Sequence, residues 1–117
     1  MNKYNRLVKS SEFANVRNTG HSCSDRNLVL VVATRDFLEG GDSRYGLVVS
    51  NRIGNAVYRN KCKRRLREAI GTFTIQKGFD LVFIARNPLP DCTYVEICES
   101  MCKLLTRASL IQVSNVI

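Results

Sequence analysis

Arg59, Lys61, Lys63, Arg64, Arg65 and Arg67 crowd the stretch GNAVYRNKCKRRLREAI (54–70), and the first acid after them is Glu68. Guanidinium and ammonium groups at this density, with the Asn60 amide among them, suit the binding of phosphate or exposed bases. Cutting a phosphodiester bond usually needs other groups, either a carboxylate cluster holding metal or a paired His or Lys. The acids Glu12, Asp25, Asp36, Glu39 and Asp42 are scattered without metal-like spacing, and His21 has no evident mate. These residues point to binding, not to a nuclease in its own right.

The charge is local. The 117 residues hold 18 Lys and Arg against 10 Asp and Glu, a net +8. Seven of those bases lie between Arg52 and Arg67 with no acid among them, leaving 11 bases against 10 acids elsewhere. A smaller basic group, Lys3, Arg6 and Lys9, precedes Glu12. Such concentration indicates a polyanionic partner. An acidic protein or a membrane surface is a second option. A solvated face that only keeps the chain soluble is a third, although such a face normally mixes signs.

The length is that of one domain, 1–117, able to bury a core without metal or disulfides. No apolar run approaches the roughly 18 residues of a membrane span, and nothing near the N-terminus resembles a signal peptide. The expected location is the cytoplasm, with no membrane partner. Five cysteines, Cys23, Cys62, Cys92, Cys98 and Cys102, read as reduced thiols. Cys98 and Cys102 could share a helical face, but with one histidine in the chain a zinc site would need distant ligands.

The elements that must position the basic run follow from periodicity. SSEFANVRNTG reads as a short helix with Ser10 as cap, Glu12 in its first turn, Gly20 at its stop, and Phe13 and Val16 on one face. NLVLVVAT (27–34) reads as a strand covered on both faces, and YGLVVSN (45–51) as a second. The Gly40-Gly41 pair between them suggests a hairpin loop. FDLVFIAR (79–86) is a third strand, and the limits of another around His21 to Arg26 stay open. Thr93 and Glu96 form a capping box for a last helix with Val95, Cys98, Met101, Cys102 and Leu105 as its apolar stripe. The fold class is α+β, helices packed on a small sheet. The expected core is Leu28, Leu30, Val32, Leu47, Val49, Leu66, Leu81, Phe83, Met101 and Leu105.

On a helix over about 56–71, a step of about 100° per residue separates the side chains into sets. Tyr58, Cys62, Leu66, Ala69 and Ile70 form the core stripe. Arg59, Asn60, Lys63, Arg64 and Arg67 form a contiguous arc beside it, while Lys61 and Arg65 point to solvent. Arg59–Lys63, Lys61–Arg65 and Lys63–Arg67 are like-charge i,i+4 pairs, each unfavourable by about 0.2–0.5 kcal/mol. A phosphate backbone would reverse the sign of these terms and release counterions.

GLVVSNRIGNAVYRNKCKRRLREA resembles the signature of the bacterial ribonuclease P protein family: Gly-x-Ala-Val, one variable residue, Arg-Asn, then bases at set intervals. NRLVKSSEFANVRNTG, FDLVFIAR and the capped last helix resemble other parts of that family, so the likeness spans nearly the whole chain. It implies a two-layer αβββαβα sandwich with a left-handed βαβ crossover, like one domain of a small-subunit ribosomal protein. Periodicity does not reveal that handedness, and right-handed connections are the rule.

The resemblance also implies a subunit that joins a catalytic RNA and helps remove the 5′ leader of precursor tRNA with Mg²⁺, held mainly by the RNA and substrate. Its implied catalytic-RNA contacts are Arg52, Arg59, Asn60, Lys63, Arg64 and Arg67. Its implied leader-binding cleft holds Phe13, Arg17, Val31 and Ser50, with aromatic faces suited to unpaired bases. Two cleft positions depart from the family pattern, since Arg17 and Val31 stand where aromatics are common. Ordinary helix-to-sheet packing is the alternative for Phe13. A non-catalytic RNA-binding module of ribosomal type is the alternative for the whole chain. No small-molecule substrate is expected.

Overall fold

A computed structural model describes residues 5–35 and 41–111. Lys3, the Asp36–Gly40 part of the expected hairpin loop, and residues 112–117 lie outside the described residues. The elements are β1 (Asn5–Arg6), α1 (Ser10–Thr19), β2 (His21–Ser24), β3 (Leu28–Thr34), β4 (Arg44–Val48), α2 (Ala56–Ile70), β5 (Phe79–Ala85) and α3 (Tyr94–Arg107).

The strands form a mixed sheet in the order β1-β4-β5-β3-β2. β3 runs antiparallel to both β2 and β5, whereas β4 is parallel to β5, with Leu47 opposite Phe83. The Gly40-Gly41 expectation fails here. β3 and β4 are not neighbours, because β5 lies between them and takes up both inner edges. Two parallel adjacent strands need a long connection, and α2 supplies it as the crossover of a β4–α2–β5 unit.

β3 is covered on both faces, as its unbroken apolar run requires. Leu28 and Leu30 enter a large core with Tyr45, Leu66, Leu81, Phe83, Met101 and Leu105 beneath α2 and α3. Val31 and Ala33 turn the other way and pack with Val82 and Val16 under α1. Thus α2, α3 and the sheet make the two-layer body, and α1 crosses the opposite face. Of the expected core, Val32 and Leu47 are only partly buried at its margin.

Both outer helices differ from expectation in detail. Ser10 does not cap α1; it is the first helical residue, and Lys9 precedes it at the cap. Glu12 reaches back instead, accepting from the backbone N–H groups of Val8 and Lys9, each at 2.9 Å. The Thr93–Glu96 box at α3 forms in both directions. The buried face of α3 is Ile97, Ser100, Met101, Leu104 and Leu105, about 100° round from the expected stripe. Val95 is 63% exposed and Cys102 lies outside. Ser100 can be buried because its hydroxyl accepts from Asn27 Nδ2 at 2.9 Å, which satisfies the polar group.

Candidate nucleic-acid interface

α2 begins where β4 ends. After Val48 the chain makes a short 3₁₀ turn, Asn51–Ile53, and Asn55 caps the helix by accepting the Tyr58 N–H at 3.2 Å. Cys62, Leu66, Ala69 and Ile70 are buried as the stripe predicts. Tyr58 is not: it is 57% exposed, because its position in the first turn lies beyond the cover of the core.

The arc stands at the surface. Asn60 and Arg64 are exposed, and Arg59, Lys63 and Arg67 are half-buried along its border. Arg59 donates through Nη1 to Asn51 Oδ1 and so ties the first helical turn to the 3₁₀ turn that carries exposed Arg52. Lys61 points to solvent as expected. Arg65 does not, since its Nη1 donates to the Cys92 carbonyl at 3.2 Å and joins α2 to the segment before α3.

Phe13 and Arg17 of α1 and Lys63 and Arg67 of the arc, separate in the sequence, meet at one groove. β1 flanks β4 only as far as the Arg6–Tyr45 pair. Past that point two adjoining concavities of about 350 and 640 Å³ run along β4 between α1 and α2. Phe13, Val8 and Leu47 line both, and so does Lys63. Arg6 and Arg67 border the first; Arg17 and Asn18 border the second. Phe13 fits because Gly46 has no side chain: a Cβ there would come within 2.6 Å of the ring.

Val31 does not belong to this groove. It is 7% exposed and lies in the core under α1, because odd-numbered residues of β3 face Val16 and Gly20. Ser50 is exposed just past Val49, which lines the groove. Val8 and Leu47 join the site without any signal in their local sequence. Arg6 stands out only as part of the basic N-terminus, and nothing local announces the two-residue β1 that carries it to β4.

An ion network fixes α1 over the sheet behind the groove. Arg44 on β4 holds Asp80 on β5 with two bonds, Nε to Oδ1 at 2.9 Å and Nη2 to Oδ2 at 2.8 Å. Its Nη1 reaches Glu12 Oε2 at 2.7 Å. The Lys9 and Val8 amides, with Arg44 adding to them, hold the Glu12 carboxyl below the usual carboxylate range. Hydrogen bonding to Asp80 in turn raises the Arg44 guanidinium above its ordinary value.

The sequence model of the Ribonuclease P family matches residues 1–109. The chain belongs to the ribonuclease P protein family. It is 40% identical over 111 residues to the ribonuclease P protein component of Clostridium botulinum strain Eklund 17B, covering 90% of this chain and 89% of that one. The Staphylococcus aureus RNase P protein superposes with a TM-score of 0.82 at 33% identity, covering 94% of this chain and 100% of the other. For the Thermotoga maritima protein the TM-score is 0.77 at 30% identity, with 87% and 96% covered. The family's protein is the subunit of the ribonucleoprotein that processes tRNA 5′ ends.

A ribonuclease P protein implies an RNA partner and metal-dependent cleavage, so the donor set of this chain matters. Among the described residues no three His, Cys, Asp or Glu side chains converge on a metal position. Asp80 and Glu12 are engaged by Arg44, and Asp25 Oδ1 accepts the Asn27 and Leu28 amides within its own turn. These carboxylates do not fit a metal centre.

Proposed function

We propose that this chain binds the catalytic RNA of ribonuclease P through the outer arc of α2 and receives the 5′ leader of precursor tRNA in the groove beside β4. The observation that carries the reading is Lys63, which belongs to the arc and lines both halves of the groove opposite Phe13. One polyanion lying on the arc is thereby continuous with a second in the groove. Arg52, Arg59, Asn60, Lys63, Arg64 and Arg67 would contact phosphates of the catalytic RNA. Phe13 would offer a face to a leader base, with Arg17, Lys63 and Arg67 neutralising the leader backbone.

Mg²⁺ would be held by phosphates of the catalytic RNA and of the substrate, where hard oxygen donors are abundant. The contribution of the chain is to bind, orient and screen charge, which lowers the Mg²⁺ needed to bring two RNAs together. The assembly would work in the bacterial cytoplasm. No helix among the described residues is long and apolar enough to cross a membrane.

The test is reconstitution. Added to a bacterial ribonuclease P RNA at low Mg²⁺, the chain should restore removal of the leader from precursor tRNA. An RNA-binding module of ribosomal type would leave that RNA inactive, and cleavage by the chain alone would move catalysis into the protein.

A further inference from the structure

Tyr58 is the only aromatic residue of α2, and it stays outside the core at 57% exposure. A Cβ placed on Gly54 would lie 3.1 Å from the Tyr58 Cβ and 3.4 Å from Cγ and Cδ2, so the backbone at Gly54 runs close against the base of the tyrosine side chain. Gly54 has φ +153, a conformation that L side chains rarely adopt. The Asn55 cap holds the Tyr58 N–H, which orients the residue further. Exposed Arg52 stands on the preceding turn and exposed Lys61 one helical turn on. A ring needed only for packing would join Cys62 and Leu66 in the buried stripe.

We propose that Tyr58 is a stacking platform for an unpaired base of the RNA that α2 engages. The inference rests on the RNA-binding reading of α2 and adds a non-electrostatic contact to it. Tyrosine presents a large face at the cost of ordering only two side-chain torsions. Every base has a π-face, and stacking on an aromatic residue is tolerant of sequence. A phosphate flanking such a base would meet Arg52. No acid lies between Arg52 and Glu68 to repel it. An exposed flat face on a helix rich in cations matches a nucleotide, which carries a flat base and an anionic backbone together.

Binding to a bacterial ribonuclease P RNA is measured for the full chain, Tyr58→Ala, Tyr58→Phe and Tyr58→Trp, with thermal unfolding alongside. Tyr58→Ala should bind about tenfold or more weakly, with an unchanged dependence on salt. Loss of a phosphate contact would instead reduce that dependence by about one unit of log–log slope. Tyr58→Phe should bind like the parent chain. The chain contains no tryptophan, so Tyr58→Trp provides a single emitter. Its fluorescence should be quenched and shielded from acrylamide by the ribonuclease P RNA, and not by a fully paired RNA duplex. Tight binding with unquenched tryptophan and an unweakened Tyr58→Ala would overturn the platform alone. The platform also falls if affinity drops only in step with thermal stability while the tryptophan stays unquenched. Absence of RNA binding by the parent chain would overturn the underlying reading together with the platform.

Discussion

Arg44 and Arg59 carry the same guanidinium, and the protein treats them in opposite ways. Arg44 is clamped by Asp80 and Glu12, two carboxylates from different elements. Arg59 donates to the neutral amide oxygen of Asn51, within a run from Arg52 to Arg67 that contains no acid. In the first region charge is compensated internally, and the product is rigidity: α1 is tied to β4 and β5, with Asp80 only 5% exposed. In the second, like charges recur at i,i+4 spacing and oppose the helix that bears them. Internal compensation builds the groove, and the charge left over is what a phosphate backbone can use.

The largest effect that would break this comparison is removal of Arg59, Lys63 and Arg67 together by alanine. Each lost phosphate contact should lower the log–log salt slope of RNA binding by about one, giving about three in all. Folding stability should hold or rise slightly, because two repulsive pairs disappear. Taken singly, each of the three should weaken assembly or low-Mg²⁺ cleavage more than Lys61→Ala or Arg65→Ala. Equal losses across all five at one salt concentration would mean that long-range charge, not a face, governs binding.

Asp80→Ala should do the reverse. Stranding Arg44 beside a vacated partner should cost about 3 kcal/mol of stability, read by denaturant unfolding, while the molecules that remain folded keep the salt slope of the parent. A changed slope with intact stability would place Asp80 in the binding region and dissolve the contrast.

Phe13 joins the two regions, since it packs on Gly46 and also lines the groove. Phe13→Ala should lower the preference of the assembled enzyme for precursor over mature tRNA by about 1–3 kcal/mol. Thermal unfolding measured beside it separates this from a packing defect, which would weaken assembly with either RNA. Full retention of the leader preference in a stably folded variant would remove Phe13 from the site.

The smallest effect is acid sensitivity. The Glu12 carboxyl sits below its ordinary range, held chiefly by the Lys9 amide, so its folded pKa lies below the unfolded one. Its stabilisation is present above the unfolded value and is lost as pH falls through the folded value. Thermal unfolding of the parent chain should therefore drop more steeply with acid than that of Glu12→Gln. Parallel curves would show that Glu12 does not couple α1 to the sheet.

Much of this protein is determined by local sequence. The Cys62, Leu66, Ala69 and Ile70 stripe of α2, the two-faced apolar run of β3 and the Thr93–Glu96 box each depend on residues a few positions apart, and each appears where expected. The arc of Arg59, Asn60, Lys63, Arg64 and Arg67 is legible for the same reason, because helical geometry converts spacing directly into direction. What spacing cannot contain is which element covers which. The face of α3 departs from its apolar spacing because Cys98 and Cys102 count as apolar by type, whereas burial goes to Ile97, Leu104 and a Ser100 satisfied by Asn27 on a distant turn. Insertion of β5 between β3 and β4 replaces a hairpin with a crossover, and that crossover sets α2 beside the groove. β1, two residues long, exists only because β4 offers it an edge. Val31 is buried under α1 and Lys63 lines the groove for one reason: burial and convergence are decided by packing between elements far apart in the chain, which only the tertiary structure specifies.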